Sequence, residues 1–345
     1  MMEFPKTWPI IGHEWAVELW QRSIATDHLT HAYLLAGPPQ IGKSTLALTF
    51  AQALNCVGQD PPCGQCRPCR LIASGRYPDV RLVETERAAS GERKGKREIG
   101  IDQVRALQHE VNLKPYEGRW KVAIIAGAEE LSLEAANALL KTLEEPPPQV
   151  VLILTATSSE ALLPTITSRC QLITLRPLPA AAIESALLAR GVPAERARLL
   201  SRLAEGRIGW AIQASQDESL LIARQDTLAQ LVRLAAARRS ERLAYAQVLA
   251  QRFSRDGEGP EEVGEVLELW AGWWRDVLLV QEGCPELVVN VDREEALQRE
   301  AGRGRPDQSR AFLQALRQTQ EQLTQNVNPR LALEVLLLSV PVGPG

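Results

Sequence analysis

The sequence predicts a chain in two parts, an α/β region with a parallel sheet followed by a region built of helices. Three observations lead to this prediction. A glycine-rich motif at residues 37–45 joins a short apolar strand to an apolar helix. Before Arg176, strand-like apolar runs alternate with helical stretches, and after it strand patterns nearly vanish. Alternation of this kind is typical of a parallel sheet with helices on its faces.

Residues 37–45 read GPPQIGKST, which fits the phosphate-loop pattern G-x-x-x-x-G-K-[ST]. In such a loop the backbone N–H groups curl around a polyphosphate, the lysine reaches the outer phosphates, and the next hydroxyl can ligate Mg²⁺. The candidate nucleotide-binding residues are Gly37, Gly42, Lys43, Ser44 and Thr45. The motif allows ATP or ADP. It leaves open whether the chain hydrolyses the nucleotide, holds it, or keeps the loop only as architecture.

The predicted strands are short and rich in apolar or branched residues; they are 31–36, 80–84, 122–126 and 150–155. A helix at 102–111 should pack on the sheet, because Val104, Leu107 and Val111 recur at helical spacing. Beyond Arg176, helices are predicted at 180–190 and 195–205, with breaks at 191–193, 206–209 and 256–260.

Four cysteines follow the phosphate-loop helix with the spacing C-x6-C-x2-C-x2-C; they are Cys56, Cys63, Cys66 and Cys69. Four thiolates in one short segment suit a tetrahedral Zn²⁺. A catalytic zinc is disfavoured, because four protein ligands leave no position for water. Free thiols are the alternative. We predict a structural zinc knuckle inserted in the nucleotide-binding region.

Length and charge limit the possible classes of protein. The 345 residues suggest two or three domains. Lys and Arg number 39 against 42 Asp and Glu, and this net charge of −3 argues against a protein that grips nucleic acid over its whole surface. Without a membrane-spanning run or a secretory signal, a cytoplasmic location is expected. The six cysteines are then thiols or metal ligands rather than disulfides.

Several segments, in this order along the chain, resemble those of bacterial clamp-loader subunits, which are AAA+ proteins. They are 31–45, the cysteine insert, KPYEG at 114–118, ANALLKTLEEPP at 136–147, SRC at 168–170 and NVNPRLALE at 326–334. The resemblance implies an AAA+ domain at 1–176 that carries the zinc module at about 56–69. It also implies a helical lid domain at 177–215 and an all-α collar domain at 216–345, through which such subunits form a ring.

The family contains gamma/tau subunits, which hydrolyse ATP, and delta-prime subunits. Hydrolysis needs an acidic pair after a sheet strand, one carboxylate for Mg²⁺ and one to polarise the attacking water. Where gamma carries Asp-Glu, this chain has Ala126-Gly127. Glu129 and Glu130 lie three residues further on, and we interpret them as a solvated helix start. The resemblance therefore implies little or no ATP hydrolysis by the chain itself.

A second deficit concerns the lid arginine called sensor 2, with which ATPases of the family touch the nucleotide. Its position falls on Gly209, and Arg207 lies two residues away, about 200° around a helix. For the polar residue called sensor 1, Thr155 and Thr157 are both candidates after the strand at 150–155.

The element Ser168-Arg169-Cys170, in contrast, is complete. In the resembled family this arginine is offered in trans, and its planar fork can neutralise charge on the γ-phosphate of a neighbouring subunit. The combination resembles delta-prime subunits of the DNA polymerase III clamp loader. It implies a heteropentamer with gamma/tau and delta subunits that loads a sliding clamp on primed DNA. The length of the chain agrees with this expectation, since tau-like chains normally continue further.

Two alternatives come from other classes. A self-sufficient gamma/tau-type ATPase would hydrolyse ATP alone, and Ala126-Gly127 speaks against it. A zinc-knuckle module that binds DNA without partners is disfavoured by the net charge of −3. The basic run RKGKR at 93–97 could touch DNA, but we interpret it as a mobile solvated loop.

Two predictions concern the helical region. Trp270, Trp273, Trp274 and Val277 share a helix face, which we interpret as domain core rather than an interface. A helix should begin with Asn328 as its N-cap and Pro329 as its first residue. Its apolar run is predicted to be Leu331, Val335, Leu336 and Leu338.

Overall fold

The computed structural model describes residues 8–85, 98–255, 259–325 and 327–341, and the basic run at 93–97 lies outside them. The chain divides into two compact units. The first takes most of the chain up to Arg190 together with Gly206–Trp210, and the second takes Gly191–Glu205 and the chain from Ala211 onward. The predicted three-domain boundaries at 176 and 215 stay a prediction.

A parallel five-stranded sheet forms the centre of the first unit, in the order β2-β3-β4-β1-β5. Its strands are β1 (Ala32–Ala36), β2 (Val80–Val83), β3 (Lys121–Ile125), β4 (Val150–Ala156) and β5 (Gln171–Thr174). The first four confirm the predicted strands with small shifts at their ends. The sequence did not indicate β5, because it is a short edge strand with polar residues at both ends.

Helices of the first unit cover both faces of the sheet. They are α1 (Glu14–Ala25), α2 (Lys43–Asn55), α3 (Arg67–Ala73), α4 (Ile101–Val111), α5 (Leu133–Glu144), α6 (Pro164–Thr167) and α7 (Ala180–Leu188). Along β1, Tyr33 and Leu35 pack on one face with Trp20 and Phe50, while Leu34 packs on the other with residues of α4 and α5. Because β1 and β3 both pair with β4, their carboxyl ends lie at one edge of the sheet.

Helices that lie wholly or mainly in the second unit complete the chain. They are α8 (Ala194–Leu203), α9 (Ile208–Gln216), α10 (Ser219–Ala236), α11 (Arg239–Phe253), α12 (Gly259–Gln281), α13 (Glu294–Arg303), α14 (Pro306–Thr324) and α15 (Pro329–Leu338). In the described ranges, no strand follows Thr174. No helix there has both the length and the apolar character needed to span a membrane.

The tryptophan face of α12 is the core of this second unit, as predicted. Trp270, Trp273, Trp274 and Val277 are all buried in one cluster with residues of α10, α11, α14 and α15. Of the predicted apolar run of α15, only Leu336 is buried. Leu331, Val335 and Leu338 are exposed, and the buried face consists of Ala332, Leu333, Leu336 and Leu337. The predicted N-cap is confirmed, since the side chain of Asn328 accepts hydrogen bonds from the backbone of Arg330 and Leu331.

Candidate functional site

The phosphate-loop residues come together between the end of β1 and the start of α2. A Cβ on Gly37 would lie 2.6 Å from the carbonyl oxygen of Leu175, so close packing requires glycine there. Gly42 has a φ of +105°, and no heavy atom lies within 4 Å of where its Cβ would be. Its left-handed backbone, rather than crowding, therefore explains the glycine. Ser44 and Thr45 are exposed in the first turn of α2, within reach of a ligand.

Lys43 folds back over this loop. Its Nζ donates to the carbonyl oxygens of Gly37 at 2.5 Å and Pro38 at 2.7 Å. Burial lowers the pKa of Lys43, and the nearby negative charge of Glu129 partly opposes that effect. An anionic phosphate entering the loop would therefore compete with two neutral carbonyl groups for the ammonium, an exchange that favours the phosphate.

The acidic pair of an ATPase has no counterpart at the end of β3. Ala126 carries no ligand atom in its side chain, and Gly127 has a φ of +72°. The N–H of Gly127 donates to Thr155 Oγ1 at 3.1 Å, which fixes that turn to the neighbouring strand β4. A glutamate at 127 would have to adopt a left-handed backbone, which costs about 1–2 kcal/mol for an L-residue. The local backbone is thus built for glycine rather than for a catalytic acid.

Glu129 corrects one interpretation made from the sequence. It is half-buried rather than solvated, and its Oε1 accepts a hydrogen bond from the backbone N–H of Thr157 at 2.9 Å. Its Oε2 is buried and has no hydrogen-bond partner among the described residues. The carboxylate therefore ties the start of a 3₁₀ turn to the end of β4. The sequence could not show this, because the contact joins residues 28 apart.

Gly209, where the resemblance leads us to expect the sensor 2 arginine, lies directly on the phosphate loop. Its N–H donates to the carbonyl oxygen of Gln40 at 2.8 Å. A Cβ at 209 would lie 2.7 Å from that same oxygen, so no larger side chain fits without displacing the loop. Arg207 instead has its guanidinium 6.0 Å from the ring centroid of Trp210. The missing arginine is thus accompanied by a close backbone contact that excludes it.

His13 is a residue of this site that the sequence reasoning missed. It precedes α1 with a φ of 60°, is buried, and hydrogen-bonds with the backbone of Ile41 in the phosphate loop. Burial lowers its pKa, so the ring is neutral at pH 7. Its Nε2 is buried without a hydrogen-bond partner in the described ranges. The pair Gly12-His13 before an apolar helix was the only local signal for this contact.

Arg169 lies between α6 and β5, on the surface of the first unit. Its NH1 donates to the carbonyl oxygen of Thr165 at 2.9 Å and to Ser168 Oγ at 3.3 Å. Its NH2 forms an ion pair with Glu144 Oε1 at 2.6 Å. The neighbouring Cys170 packs against the core, and burial raises the pKa of its thiol to about 12. The arginine is therefore anchored by an inert cysteine behind it and by a carboxylate that the sequence reasoning did not identify.

The structure brings the four predicted metal ligands into one cluster. The Sγ atoms of Cys56, Cys63, Cys66 and Cys69 all lie within 4.8 Å of one another. Cys56 Sγ and Cys66 Sγ are 3.9 Å apart. A tetrahedral zinc with Zn–S bonds of about 2.3 Å needs sulfur pairs about 3.8 Å apart, so the donor set fits this ion.

Backbone N–H groups also support sulfur as a ligand in this cluster. Gly58 and Cys63 donate to Cys56 Sγ at 3.3 and 3.4 Å, and Cys66 donates to Cys63 Sγ at 3.3 Å. The backbone N–H groups of Cys66 and Gln65 lower the pKa of Cys63 to about 6, whereas burial raises the pKa of Cys56 and of Cys69. A bound metal cation would offset this effect of burial on Cys56 and Cys69, because cysteine binds a metal as the thiolate.

Hydrogen bonds join the cysteine module to the rest of the first unit. Gln52 of α2 donates to the carbonyl oxygen of Cys69 at 2.8 Å. Trp8 Nε1 donates to the carbonyl oxygen of Pro61 at 3.2 Å. Helix α2 thus begins at the phosphate loop and ends at the cysteine cluster, and it connects the two motifs physically.

Asp79 explains the segment KPYEG, whose physical role was not evident from the sequence. Its buried carboxylate accepts the backbone N–H groups of Tyr116, Glu117 and Gly118 at 2.7, 2.9 and 2.7 Å, and Lys121 Nζ lies 3.5 Å away. Burial alone would raise the pKa of Asp79, but these donors outweigh it and lower the pKa. The loop is therefore held by one carboxylate and presents Tyr116 to solvent.

Two family models together match most of this chain. Residues 12–179 match the family described as "DNA polymerase III, delta subunit", and residues 218–340 match "DNA polymerase III, delta subunit, C terminal". A solved structure, a gamma subunit-related protein of DNA polymerase III from Thermotoga maritima, is 18% identical with a TM-score of 0.47, and the match covers 95% of this chain and 98% of that one.

Among curated relatives, DNA polymerase III subunit delta' of Bacillus subtilis is 30% identical over 328 residues, which is 95% of this chain and 95% of that protein. The tau subunit of Bacillus subtilis is 37% identical over 164 residues, but these are 47% of this chain and 27% of that protein. The match to delta' therefore extends through the helical second half, and the chain belongs to the delta' subunit family of DNA polymerase III.

Proposed function

We propose that this chain works as the delta' subunit within a cytoplasmic heteropentameric clamp loader, next to gamma/tau and delta subunits, and helps to set a sliding clamp on primed DNA. The observation that supports this role best is a contrast within the first unit. The phosphate loop has no acidic pair beside it, while Arg169 is anchored on the surface with part of its guanidinium accessible. In this proposal the chain's influence on ATP hydrolysis is exerted on a neighbour.

The chain's own loop is proposed to hold ATP or ADP without cleaving it. The glycines, Lys43 and the Ser44 hydroxyl supply what phosphate binding needs. Cleavage also needs a carboxylate for Mg²⁺ and another for water. Ala126 and Gly127 provide neither. Gly209 stands where the resemblance leads us to expect the sensor 2 arginine, and its backbone packs against the phosphate loop.

Arg169 is proposed to act in trans on the γ-phosphate of the adjacent ATPase subunit. A guanidinium has five N–H donors in a fixed plane, which suits the oxygens of a phosphoryl group. The contacts with Thr165, Ser168 and Glu144 use only some of these donors. The remainder can face a phosphate at a subunit boundary.

Zinc, when bound by the four cysteines, is proposed to have a structural role. Its ligands come from one short segment that connects α2 to α3, and all four positions of a tetrahedron would be filled by sulfur. The module then fixes the end of α2 and the segment near Pro61.

The trans role can be tested with a loader reconstituted from this chain and its gamma/tau and delta partners. To isolate one site, the ATPase subunits that do not receive Arg169 should carry inactive phosphate loops. In this complex Arg169→Ala is expected to lower DNA-stimulated ATP turnover by about 10³-fold, the usual scale for an arginine finger. Steady-state turnover is the measurement.

Arg176→Ala is a matched control, because Arg176 is an exposed arginine of the same unit, seven residues further along the chain. It should leave turnover unchanged. Unchanged turnover in Arg169→Ala as well would refute the trans role, provided that the complex still assembles.

A further inference from the structure

We infer that Glu144 is a positioning residue for Arg169, an inference that rests on the proposed trans role of that arginine. Glu144 is the last residue of α5, and Arg169 lies in the turn after α6. Their side chains meet in an ion pair of 2.6 Å between Glu144 Oε1 and Arg169 NH2. The ion pair thus joins two segments that are 25 residues apart in sequence. It would hold Arg169 in one place relative to the nucleotide of a neighbouring subunit.

The contacts divide the guanidinium into a held part and a free part. Both hydrogens of NH1 are used by Thr165 and Ser168, at 2.9 and 3.3 Å. One hydrogen of NH2 is used by Glu144. The Nε–H and the second NH2 hydrogen have no partner in the described ranges, and the side chain is 36% exposed. Two donors in one plane are thus left for a phosphate, while the plane itself is fixed from two sides.

Stability does not account for the glutamate. The partners are 36% and 49% exposed, and ion pairs this exposed contribute little to folding. The position is also unfavourable for an acid, because the C-terminal end of a helix carries partial negative charge. A role in anchoring Arg169 explains why a glutamate stands at position 144, whereas helix stability does not explain it.

Anchoring should act on the rate of the chemical step rather than on nucleotide binding. A free arginine side chain samples many rotamers, and ordering it when the γ-phosphate reacts costs free energy. Fixing it in advance removes part of that cost and keeps the donors where charge develops. Loss of Glu144 should therefore lower kcat at the neighbouring site and leave KM for ATP nearly unchanged.

The test uses the single-site loader described above, with Glu144→Ala, Glu144→Gln and the control Glu145→Gln. Glu145 is the adjacent exposed acid after the same helix. Glu144→Ala is expected to lower kcat about tenfold, in the range by which misplacement of a catalytic group slows an enzyme. Glu144→Gln keeps an acceptor oxygen and should retain more activity than Glu144→Ala. Glu145→Gln should match the original protein, and the Tm of the isolated chain should not change.

A double-mutant cycle separates this inference from the function on which it rests. In the Arg169→Ala background, Glu144→Ala should cause no further loss, because Glu144 acts only through Arg169. If Arg169→Ala is slow while Glu144→Ala has the original kcat, the positioning role is refuted and the trans role stands. A rise in kcat with Glu144→Ala would also overturn it, since Glu144 would then compete with the phosphate. If Arg169→Ala has no effect, the trans role itself fails.

Discussion

At the scale of single residues, Asp79 supports the clearest prediction about stability. The residue is 2% exposed, and its carboxylate accepts hydrogen bonds from three backbone N–H groups and lies near Lys121. Asp79→Asn should lower the free energy of unfolding by about 3 kcal/mol, because an amide presents its own donors to N–H groups that need an acceptor. Denaturant unfolding of the chain measures this loss. Asp102→Asn is the control, since that side chain is 95% exposed.

The same carboxylate predicts a pH dependence. Its pKa in the folded chain is below the ordinary value of 3.8, so its contribution is fully present above that value and is lost as the pH falls through the lower folded pKa. The original protein should lose stability on acidification below about pH 4, and Asp79→Asn should lose less over the same range. Equal slopes in the two proteins would contradict the assigned role of Asp79.

Residues whose role follows from a motif were found from the sequence, and residues whose role depends on distant partners were not. Lys43 and the cysteines belong to patterns with fixed spacing, so their chemistry could be predicted. Glu129 was misjudged because its partner, Thr157, lies 28 residues away, just after β4. Glu144 was seen only as part of a motif, since its contact with Arg169 requires the packing of α5 beside α6.

At the scale of elements, the cysteine module predicts a zinc dependence. The purified chain should contain about one zinc, as four thiolates per ion require. Thiol titration of the native protein should leave these four sulfurs protected, while Cys284 reacts. Removing zinc, or making Cys69→Ser, should expose the module to proteolysis between α2 and α3, because the metal–sulfur bonds would be the cross-links that hold this short segment folded.

Cys284→Ser is the control for the zinc experiment, since Cys284 lies far along the chain in the loop after α12. It should keep the full zinc content. A chain that is free of zinc, fully folded and resistant to protease would refute the structural role of the metal.

Element boundaries show where periodicity is sufficient and where it fails. The inner strands β1, β3 and β4 were predicted because both their faces are buried, which leaves a continuous apolar run. The edge strand β5 alternates between buried and exposed residues over four positions, too few for a pattern. On α15 both faces are apolar, so the apolar run alone could not decide which face is buried, and Leu331 and Val335 lie on the exposed one.

At the scale of the whole chain, both compact units use charged side chains to hold backbone segments. In the second unit Arg242 is 2% exposed and donates to carbonyl oxygens of Leu234, Ala235 and Val340, at the ends of α10 and α15. A cation is favourable there because helix C-termini carry partial negative charge. In the same unit the buried carboxylate of Asp276 accepts the backbone N–H groups of Val289 and Asn290. In the first unit the half-buried Lys43 donates to carbonyl oxygens of the phosphate loop.

The phosphate loop leads to a prediction for the isolated chain. ATP and ADP should both bind, because the phosphate loop is complete, and ATP should not be turned over above background, because no carboxylate replaces the acidic pair. Lys43→Ala should abolish binding, since the loss of the ammonium leaves the outer phosphates without their cation. Fluorescent nucleotide titration and a phosphate-release assay are the measurements.

Lys114→Ala, at an exposed position in the loop held by Asp79, is the control and should bind normally. Turnover by the isolated chain that disappears in Lys43→Ala would show that this loop is a working ATPase site, and the division of labour between neighbouring subunits would then have to be abandoned.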